Sequence, residues 1–531
     1  MSPGEAPTPP PFDQPSEWRS PHNPWVIAFS VMLATFMEVL DTSVANVALP
    51  HIAGSLSATP EEATWVLTSY LVSNAIILPT AAWFSTLFGR KRFLLTCITL
   101  FTLASAGCGA APSLALLIVA RVFQGLGGGA LQPIAQAVLM ESFPPARRGV
   151  AMATYGMGVV VAPILGPTLG GWVTETYTWR WVFYINLPIG ILAILMVQAF
   201  VEDPPYIRRG SGWGQIDFIG FGLMAIGLAT LQVMLDRGQE DDWFAAVWVR
   251  WFAVIAAASL IAFIIRELRA EHPIVDLRIL RNRNFAVGTL LITVLGVILY
   301  STIAMLPLFM QILMGYSALL SGLALTPRGL GALLSNIIVG RLIAFVDGRV
   351  MITLGFILLA ASGFMFSHMN LQIAMSNVVS ANFLNGVATA LVFVSLTTMT
   401  MGTLRNEQMG NAAGLFNLMR NIGGSIGIAG MATFLDRWTQ SHRAILVSHL
   451  TPYDPAYQRW LATAQAGFKT QVGEVAAGPK ALGLLSNVLA QQARLLAFMD
   501  NFRVVSYLSL LAVPLVLCLK RARHRGAPPA H

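Results

Sequence analysis

Two acids and one arginine lie inside long apolar runs of this sequence, where a charge is costly. Asp41 and Glu38 are the only charged residues between Trp25 and Pro50, and Arg121 falls within a later apolar run. Acids inside membrane spans usually mark ion or proton pathways and need a nearby partner. Burial and a neighbouring guanidinium act in opposite directions on the proton affinity of a carboxylate, so helix movement can load or release a proton. These residues therefore predict a proton-coupling site.

The depths of these residues match if the two runs are antiparallel helices. Asp41 lies nine residues before the end of its run and Arg121 eight residues after the start of the other. At about 1.5 Å per residue, both lie about 12 to 13 Å deep. Glu38, on the same face as Asp41, comes level with Gln124. The spacing predicts contacts of Asp41 with Arg121 and of Glu38 with Gln124, although a static ion pair joining two helices remains the alternative.

The composition assigns the chain to the polytopic membrane class. Of 531 residues, 55% are hydrophobic and 11% charged, and the mean hydropathy is +0.66. A water-exposed globule of this composition would be insoluble, which predicts an all-α membrane protein. About 20 apolar residues are needed for each span. The sequence contains fourteen such candidates, near 25–47, 62–84, 92–111, 113–140, 149–172, 181–201, 216–235, 244–265, 284–312, 318–341, 350–369, 372–402, 408–436 and 502–520.

Basic residues lie on one side of the predicted spans. If the N-terminus is inside, the cytoplasmic connections hold Arg90, Lys91 and Arg92 and a five-arginine stretch over 266–283, whereas the short external loops hold almost none. This asymmetry places both termini in the cytoplasm and explains the net charge of +8 without nucleic-acid binding. The Pro-rich segment 1–24 is predicted to be a disordered cytoplasmic tail, and 521–531 a second one.

An internal repeat organises the chain. The heptapeptide from Leu40 to Asn46 recurs 259 residues later, and the segment from Arg121 to Gly125 recurs 261 residues later. The repeat predicts two six-helix halves, 25–201 and 284–520, separated by two additional helices in 216–265. Parallel halves around a central site are typical of secondary transporters that work by alternating access. Tyr300 and Asn382 take the places of Asp41 and Arg121 in the second half, so proton handling is expected only in the first.

Four segments together resemble one family of transporters. They are Leu40-DTSVANVALPHIAGSL-56, Arg121-VFQGLGGG, Val161-APILGPTLGGW-172 and Leu231-QVMLDRGQEDDWF-244. The chain resembles the fourteen-span drug:proton antiporter family of the major facilitator superfamily, and is most like its EmrB-type multidrug exporters. The resemblance implies a major facilitator fold and export from the bacterial inner membrane driven by the proton gradient, without a cofactor. In Gram-negative members it also implies a periplasmic adaptor of the EmrA type and an outer-membrane channel.

The fifth predicted helix is rich in glycine and proline, which allows close helix approach and bending. Its sequence is similar to the antiporter motif of the family and favours export over uptake, while simple packing of small residues is a compatible alternative. The motif residues are Pro163, Gly166, Pro167, Gly170 and Gly171.

Two cytoplasmic loops match the family signature in part. They are predicted to act either as conformational latches or only as topology determinants. Ala82 and Thr86 replace the Gly and Asp that many major facilitators have before the first loop. The residues concerned are Gly89, Arg90, Lys91 and Arg92 in the first copy and Asp347 and Arg349 in the second.

Arg328 and Arg420 lie near the middle of predicted spans without an obvious acidic partner in the second half. Facing a central cavity, they would favour anionic or weakly acidic amphiphiles, whereas pairing with helix carbonyls or snorkelling is the alternative. Other candidates for lining the cavity are polar or aromatic residues whose alternative role is packing. These candidates are Tyr155, Tyr300, Asn74 and Gln311.

Other classes of protein fit the sequence less well. The chain has no Gly-x-x-x-x-Gly-Lys-Ser/Thr phosphate-binding loop, and its eight histidines are scattered, so neither an ATP-driven pump nor an enzyme is expected. Its three cysteines lack the spacing of a disulfide framework or a metal site. The prediction is a proton-coupled exporter of amphiphilic toxic compounds, with a proton-coupled importer of a small organic solute as the alternative. The long external loop 437–500 is interpreted either as an adaptor-docking segment or as a loose connection.

Overall fold

The computed structural model describes residues 21–144, 147–203, 217–270, 273–343, 345–405, 408–451 and 453–520, and these ranges contain helices and no strand. The predicted tails lie outside them, the first up to residue 20 and the second entirely. The long helices are α1 Pro24–Ser55, α2 Trp65–Phe88, α3 Arg90–Ala110, α4 Leu114–Ser142, α5 Arg148–Thr176, α6 Trp181–Phe200, α7 Phe218–Arg237, α8 Val247–Arg269, α9 Arg283–Leu313, α10 Ala318–Leu342, α11 Gly348–Phe366, α12 Met375–Met401, α13 Met409–Ser448, α14 Pro455–Val472 and α15 Glu474–Val516.

The prediction of an all-α protein rich in membrane-length helices is confirmed. Thirteen helices in the described ranges are long and apolar enough to cross a membrane. The predicted span 408–436 is the exception, because Arg420 and several asparagines lower the hydropathy of this part of α13. α13 packs against α9, α15, α2 and α4, so protein neighbours surround its polar residues.

The same helix pairs pack together in both halves. In the first half, α1–α6, helix α1 packs on α5 and α6, and α4 packs on α2 and α3. In the second half, α9–α13 with α15, helix α9 packs on α13 and α15, and α12 packs on α10 and α11. Individual contacts also recur, since Gly166 lies against Ser43 and Gly427 lies against Ser301. The repeated sequence therefore builds a repeated set of helix contacts.

The two halves meet through α5 with α10 and through α2 with α13. We call the end of the bundle where α1 begins and α15 ends the termini end, and the other the opposite end. At the termini end, Gly149 of α5 lies against Ile343, and Gly410 of α13 lies against Ala82 of α2. The halves are thus in direct contact at the termini end.

The additional helices α7 and α8 form a hairpin beside the two halves. α7 packs on both α2 and α13, whereas most of the α8 surface is exposed. Asp217 caps α7 at the Gly220 amide, 2.9 Å away, and accepts two hydrogen bonds from Arg266 Nε and one from its Nη2. Hydrogen bonds from Arg266 hold the pKa of Asp217 below its ordinary value. This contact ties the two helices together at the termini end.

The hairpin also joins the two halves near the opposite end. Arg237 Nη1 donates to Thr64 Oγ1 of the first half at 2.6 Å. Trp243 Nε1 donates to Thr433 Oγ1 of the second half at 2.8 Å. Because Arg237 and Trp243 belong to one short segment of the hairpin, this segment links the two halves at this end.

The predicted loop 437–500 is largely helical. Helix α13 continues to Ser448, α14 follows, and α15 begins at Glu474, well before the predicted last span at 502. Ala, Leu, Gln and Arg are strong helix formers, so a segment too polar to span a membrane still forms helices. Hydropathy detects membrane spans and misses the polar extensions of those helices, so the sequence did not indicate that this segment is helical. The assignment of 437–500 to an external segment stays a prediction.

Candidate functional site

Asp41 is the centre of a buried hydrogen-bond cluster in the first half. Its carboxylate accepts from Arg121 Nη1 at 2.6 Å, from Gln124 Nε2 at 2.8 Å and from Asn186 Nδ2 at 2.6 Å. Asp41 and Arg121 are each only 1% exposed. The structure therefore brings the predicted pair together and surrounds the carboxylate with donors.

Arg121 is fixed from several directions. Its Nε donates to the Val66 carbonyl at 2.9 Å, and a second bond from Nη1 reaches Gln124 Oε1 at 2.8 Å. The guanidinium carbon lies 4.3 Å from the centre of the Tyr70 ring, a cation–π contact. Since an arginine does not release its proton, Arg121 supplies a constant positive charge beside Asp41.

The predicted pairing of Glu38 with Gln124 is wrong. Gln124 lies three residues after Arg121, so both side chains occupy one face of α4 and both reach Asp41. Glu38 instead accepts from Tyr70 Oη at 3.1 Å, from Asn74 Nδ2 at 3.3 Å and from Gln132 Nε2 at 2.6 Å. Matching depth alone did not account for the rotation of each side chain around its helix.

A break in α4 makes the contact with Gln132 possible. The helix is interrupted at Gly129 and Ala130 and resumes at Leu131. A methyl group on Gly129 would lie 2.5 Å from the Asn74 carbonyl oxygen, so only glycine fits this approach to α2. After the break, Gln132 reaches Glu38 while Arg121, before it, reaches Asp41.

Tyr70 connects the two acids. Its ring lies against the guanidinium that binds Asp41, and its hydroxyl donates to Glu38. Asp41, Arg121, Tyr70 and Glu38 therefore form one continuous polar chain through α1, α2 and α4.

The polar chain continues into the second half. Arg420 of α13 donates from Nη2 to Gln132 Oε1, the same amide that donates to Glu38. One turn further along α4, Gln136 Oε1 accepts from Asn417 Nδ2 at 2.7 Å. Two side-chain amides of the first half thus contact α13 of the second, and only Gln132 also touches an acid.

Arg328 lies in α10, in the second half of the chain. Both terminal nitrogens are buried and make no hydrogen bond to any described residue. A methyl group on Gly386 would meet the Arg328 carbonyl oxygen, just as one on Gly125 would meet that of Tyr70. Arg328 therefore occupies the place in the second half that Tyr70 occupies in the first. A buried guanidinium in this setting can attract an anion.

The remaining cavity candidates are placed differently from one another. Asn74 belongs to the Glu38 cluster, and Tyr155 is buried with its ring 6.4 Å from that of Phe393 across the two halves. Tyr300 packs against Gly424, and Gln311 is exposed in a π-helical turn near the opposite end. The structure thus leaves Gln311 away from the buried cluster.

The glycine-rich face of α5 lies on the part of α1 that follows Asp41. A methyl group on Gly166 would lie 2.1 Å from Ser43 Oγ, and one on Gly170 would lie 3.0 Å from Val44. Ser43 Oγ donates to the Pro163 carbonyl at 3.0 Å. A methyl group on Gly171 meets nothing within 4 Å, and the side chain of Pro167 lies outside the described part of α5.

The two predicted loop motifs make contacts within their own halves. Arg90 pairs with Glu141, and Lys91 donates from its backbone to Asp203 at 2.7 Å, while Arg92 is exposed. Gly89 has a φ of 84°, a conformation that favours glycine between α2 and α3. In the second copy, Asp347 caps α11 and pairs with Arg349 at 3.1 Å.

Asn186 is a site residue that sequence reasoning missed. It sits alone at the start of an apolar helix segment, and its amide donates to Asp41 and, at 3.0 Å, to Ser105 Oγ. Within the described ranges, no group of three or more His, Cys, Asp or Glu side chains is placed to hold a metal ion.

Comparison with known proteins gives consistent matches. A family model described as Major Facilitator Superfamily matches residues 31–428. The fatty acid resistance protein FarB of Neisseria gonorrhoeae is 35% identical over 94% of this chain and 97% of its own length. The multidrug export protein EmrB of Haemophilus influenzae is 38% identical over 82% of this chain and 84% of its own. EmrB of Escherichia coli K12 is 35% identical, with coverages of 92% and 94%.

A solved structure is similar in fold. The human organic anion transporter MFSD10 (TETRAN) aligns with a TM-score of 0.59 at 14% identity and covers 93% of this chain and all of its own. At this identity the likeness concerns the arrangement of helices alone.

Proposed function

The chain belongs to the Major Facilitator Superfamily, and from that premise we propose that it is a proton-coupled exporter of amphiphilic toxic compounds that works by alternating access. It is a multi-pass membrane transporter of small molecules, and the predicted family and fold are confirmed. Its relatives include multidrug and fatty acid resistance proteins. The observation that carries the proposal is the buried Asp41 carboxylate bound to Arg121.

Proton coupling needs an acid whose environment changes during transport. Asp41 and Glu38 both lie on α1, and their donors come from α2, α4 and α6. Movement of α1 relative to these helices changes the number of donors and the distance to Arg121, and so changes the proton affinity of each acid. The proton gradient then serves in place of a cofactor.

The substrate class follows from positive charge in the second half. Arg328 has two buried nitrogens without described partners, and the Nε of Arg420 is also unpaired. These charges favour anionic or weakly acidic amphiphiles, and the name of the fatty acid resistance relative supports the same class.

The proposal places the protein in the bacterial inner membrane with both termini in the cytoplasm, in line with the distribution of arginines. The extension formed by α14 and the adjoining parts of α13 and α15 would then lie in the periplasm. It exposes apolar side chains such as Tyr453, at 89%, and Val475, at 94%. The extension is the part of the chain proposed to dock a periplasmic adaptor that leads to an outer-membrane channel.

The test is transport in proteoliposomes with an imposed pH gradient. Wild-type protein is expected to move a fluorescent fatty acid against its gradient when protons flow the other way, and Asp41→Asn is expected to lose this movement. Glu175→Gln removes an exposed acid on α5 and serves as the matched control. Proton-driven export that survives in Asp41→Asn would contradict the proposal, and substrate movement together with protons would favour the importer.

A further inference from the structure

Gln132 is placed between an acid of one half and a cation of the other. Its Nε2 donates to Glu38 Oε2 at 2.6 Å, while its Oε1 accepts from Arg420 Nη2. The Gln132 side chain is 7% exposed, Glu38 4% and Arg420 2%. Because the contacts are buried, water screens the interaction between the two charges only weakly.

The amide can satisfy both neighbours in one orientation only. A primary amide has a donor end and an acceptor end, an ionised carboxylate only accepts, and a guanidinium only donates. With Glu38 ionised, the NH2 group faces the acid and the oxygen faces Arg420. The amide dipole is then aligned between a negative and a positive charge, and it joins α1 to α13.

Neutralising Glu38 weakens this link. A protonated Glu38 no longer attracts the positive end of the amide, and its new O–H needs an acceptor. If the amide turns its oxygen to that O–H, its NH2 group faces Arg420, where two donors meet. In either orientation, Arg420 is no longer attracted, through the amide of Gln132, to a negative charge on Glu38.

We propose that Gln132 is the positioning residue that transmits the protonation of Glu38 to the second half: it holds α13 through Arg420 while Glu38 is ionised and releases it when Glu38 takes up a proton. The inference rests on the proposed proton coupling and adds the step that connects the proton to the movement of the halves. It assigns Glu38 a role separate from that of Asp41, whose described contacts lie within the first half.

Other titratable groups around Glu38 stay in place in the test variants. Asp41, Tyr70, Tyr155 and Arg420 act on it from α1, α2, α5 and α13. Arg121 of α4 lies behind the Tyr70 ring. Tyr70 and Asn74 already donate to the other carboxylate oxygen, Oε1. Gln132 is therefore the donor to Glu38 that also contacts the second half.

The chain offers a matched control one turn along α4. Gln136 also binds α13, through Asn417, and its described contacts include no acid. Gln132→Met and Gln136→Met each remove one amide from the same helix pair at nearly constant volume. Only Gln132→Met breaks the hydrogen-bonded path from Glu38 to α13.

The experiment measures the separation of the halves by double electron–electron resonance. Spin labels go on His51 of α1 and Ser376 of α12, which are exposed and lie at the opposite end, after replacement of Cys97, Cys108 and Cys518. The purified protein in nanodiscs without substrate is titrated across pH. Wild type and Gln136→Met are expected to change their distance distribution with pH, and Gln132→Met is expected to lose that change.

A second variant keeps the test independent of any folding defect in Gln132→Met. Glu38→Gln imitates the protonated acid, so it is expected to hold the low-pH distribution at every pH, with Gln132→Met adding nothing in the double variant. A Gln132→Met protein that titrates like wild type, or a Gln136→Met protein that loses the response equally, would overturn the inference. So would a wild-type distribution that does not respond to pH.

Failure of this inference differs from failure of the proposed function. If wild type exports substrate on a pH gradient while Gln132→Met keeps the full pH response, only the role of Gln132 is lost. If wild type shows no proton-driven export, the proposed function itself fails.

Discussion

Asp41 and Arg328 are buried charged residues in opposite situations. Asp41 has three donors within 2.8 Å, including a guanidinium. Both terminal nitrogens of Arg328 lack a described partner, although the residue is only 4% exposed. A buried charge without a compensating partner lowers the stability of the fold. We therefore expect such a charge where ligand binding requires it. The first half therefore satisfies its acid internally, and the second half leaves a cation available.

This difference predicts that substitution of Arg328 changes stability and anion binding in opposite directions. Arg328→Met removes the unpaired charge, so it is expected to raise the thermal stability of the substrate-free protein. The same variant is expected to bind an anionic amphiphile about 10- to 100-fold more weakly, since a hydrogen bond to a charged group contributes about 1.5 to 3 kcal/mol. Binding of radiolabelled dodecanoate to the purified protein measures the loss.

Two controls accompany this experiment. Dodecyltrimethylammonium has the same chain length and the opposite charge, and its binding is expected to stay the same or improve in Arg328→Met. Arg494→Met removes an exposed arginine of α15 and is expected to leave both ligands unaffected. Equal weakening of both ligands would assign Arg328 a structural role.

At the scale of elements, the contact of α1 with α5 depends on glycine at chosen positions. Gly166 and Gly170 face Ser43 and Val44, within one turn of Asp41. A bulkier residue at these positions would push α5 away from the turn that carries the acid. The motif thus sets the position of Asp41 as well as the packing of the helices.

Alanine substitutions at two glycines of this motif are expected to have different effects on stability. Gly166→Ala places a methyl group 2.1 Å from Ser43 Oγ and 2.4 Å from Ser43 Cβ, so it is expected to lower stability by about 1 to 3 kcal/mol and to impair transport. Gly171→Ala meets nothing within 4 Å and is expected to be neutral or to stabilise by up to about 1 kcal/mol. Thermal unfolding in detergent distinguishes them. Recovery of Gly166→Ala by Ser43→Gly would identify the clash as the cause.

At the scale of the whole molecule, the α7–α8 hairpin contacts both halves. It reaches the first half through Arg237 and Thr64 and the second through Trp243 and Thr433. Separation of the halves at the opposite end must break or stretch one of these contacts. The additional helices therefore oppose opening at that end.

Removing one bridge is expected to favour separation. Trp243→Phe loses the 2.8 Å hydrogen bond to Thr433, which at about 0.5 to 1.5 kcal/mol raises the separated population by about two- to tenfold. Trp248→Phe is the matched control, because the Trp248 indole donates to Asp241 within the hairpin, also at 2.8 Å. The labelled pair at residues 51 and 376 reports the populations. A similar shift in both variants would mean that the hydrogen bond between Trp243 and Thr433 does not oppose separation of the halves.

The sequence predicted the contact of Asp41 with Arg121 because both residues lie at one depth in adjacent antiparallel helices. Depth could not fix the direction of each side chain, so Glu38 was assigned to Gln124 instead of Gln132. The contact of Gln132 with Arg420 joins two halves, and no periodicity within one helix gives their relative rotation. Asn186 lacked any signal, since a single amide in an apolar helix resembles many others. The helices beyond residue 437 escaped a search based on hydropathy.

The length of α13 has a mechanical consequence. This unbroken helix runs from the centre of the bundle at Arg420 to Ser448, a distance of about 42 Å at a rise of about 1.5 Å per residue. The hydrocarbon layer is about 15 Å thick from its middle to one surface, so more than half of this length extends beyond it. The helix is thus a lever whose short arm lies at Arg420 and whose long arm ends outside the membrane. A tilt of about 10° at Arg420 moves the far end by about 7 Å, which amplifies a small shift at the buried amide into a displacement that a neighbouring protein can follow.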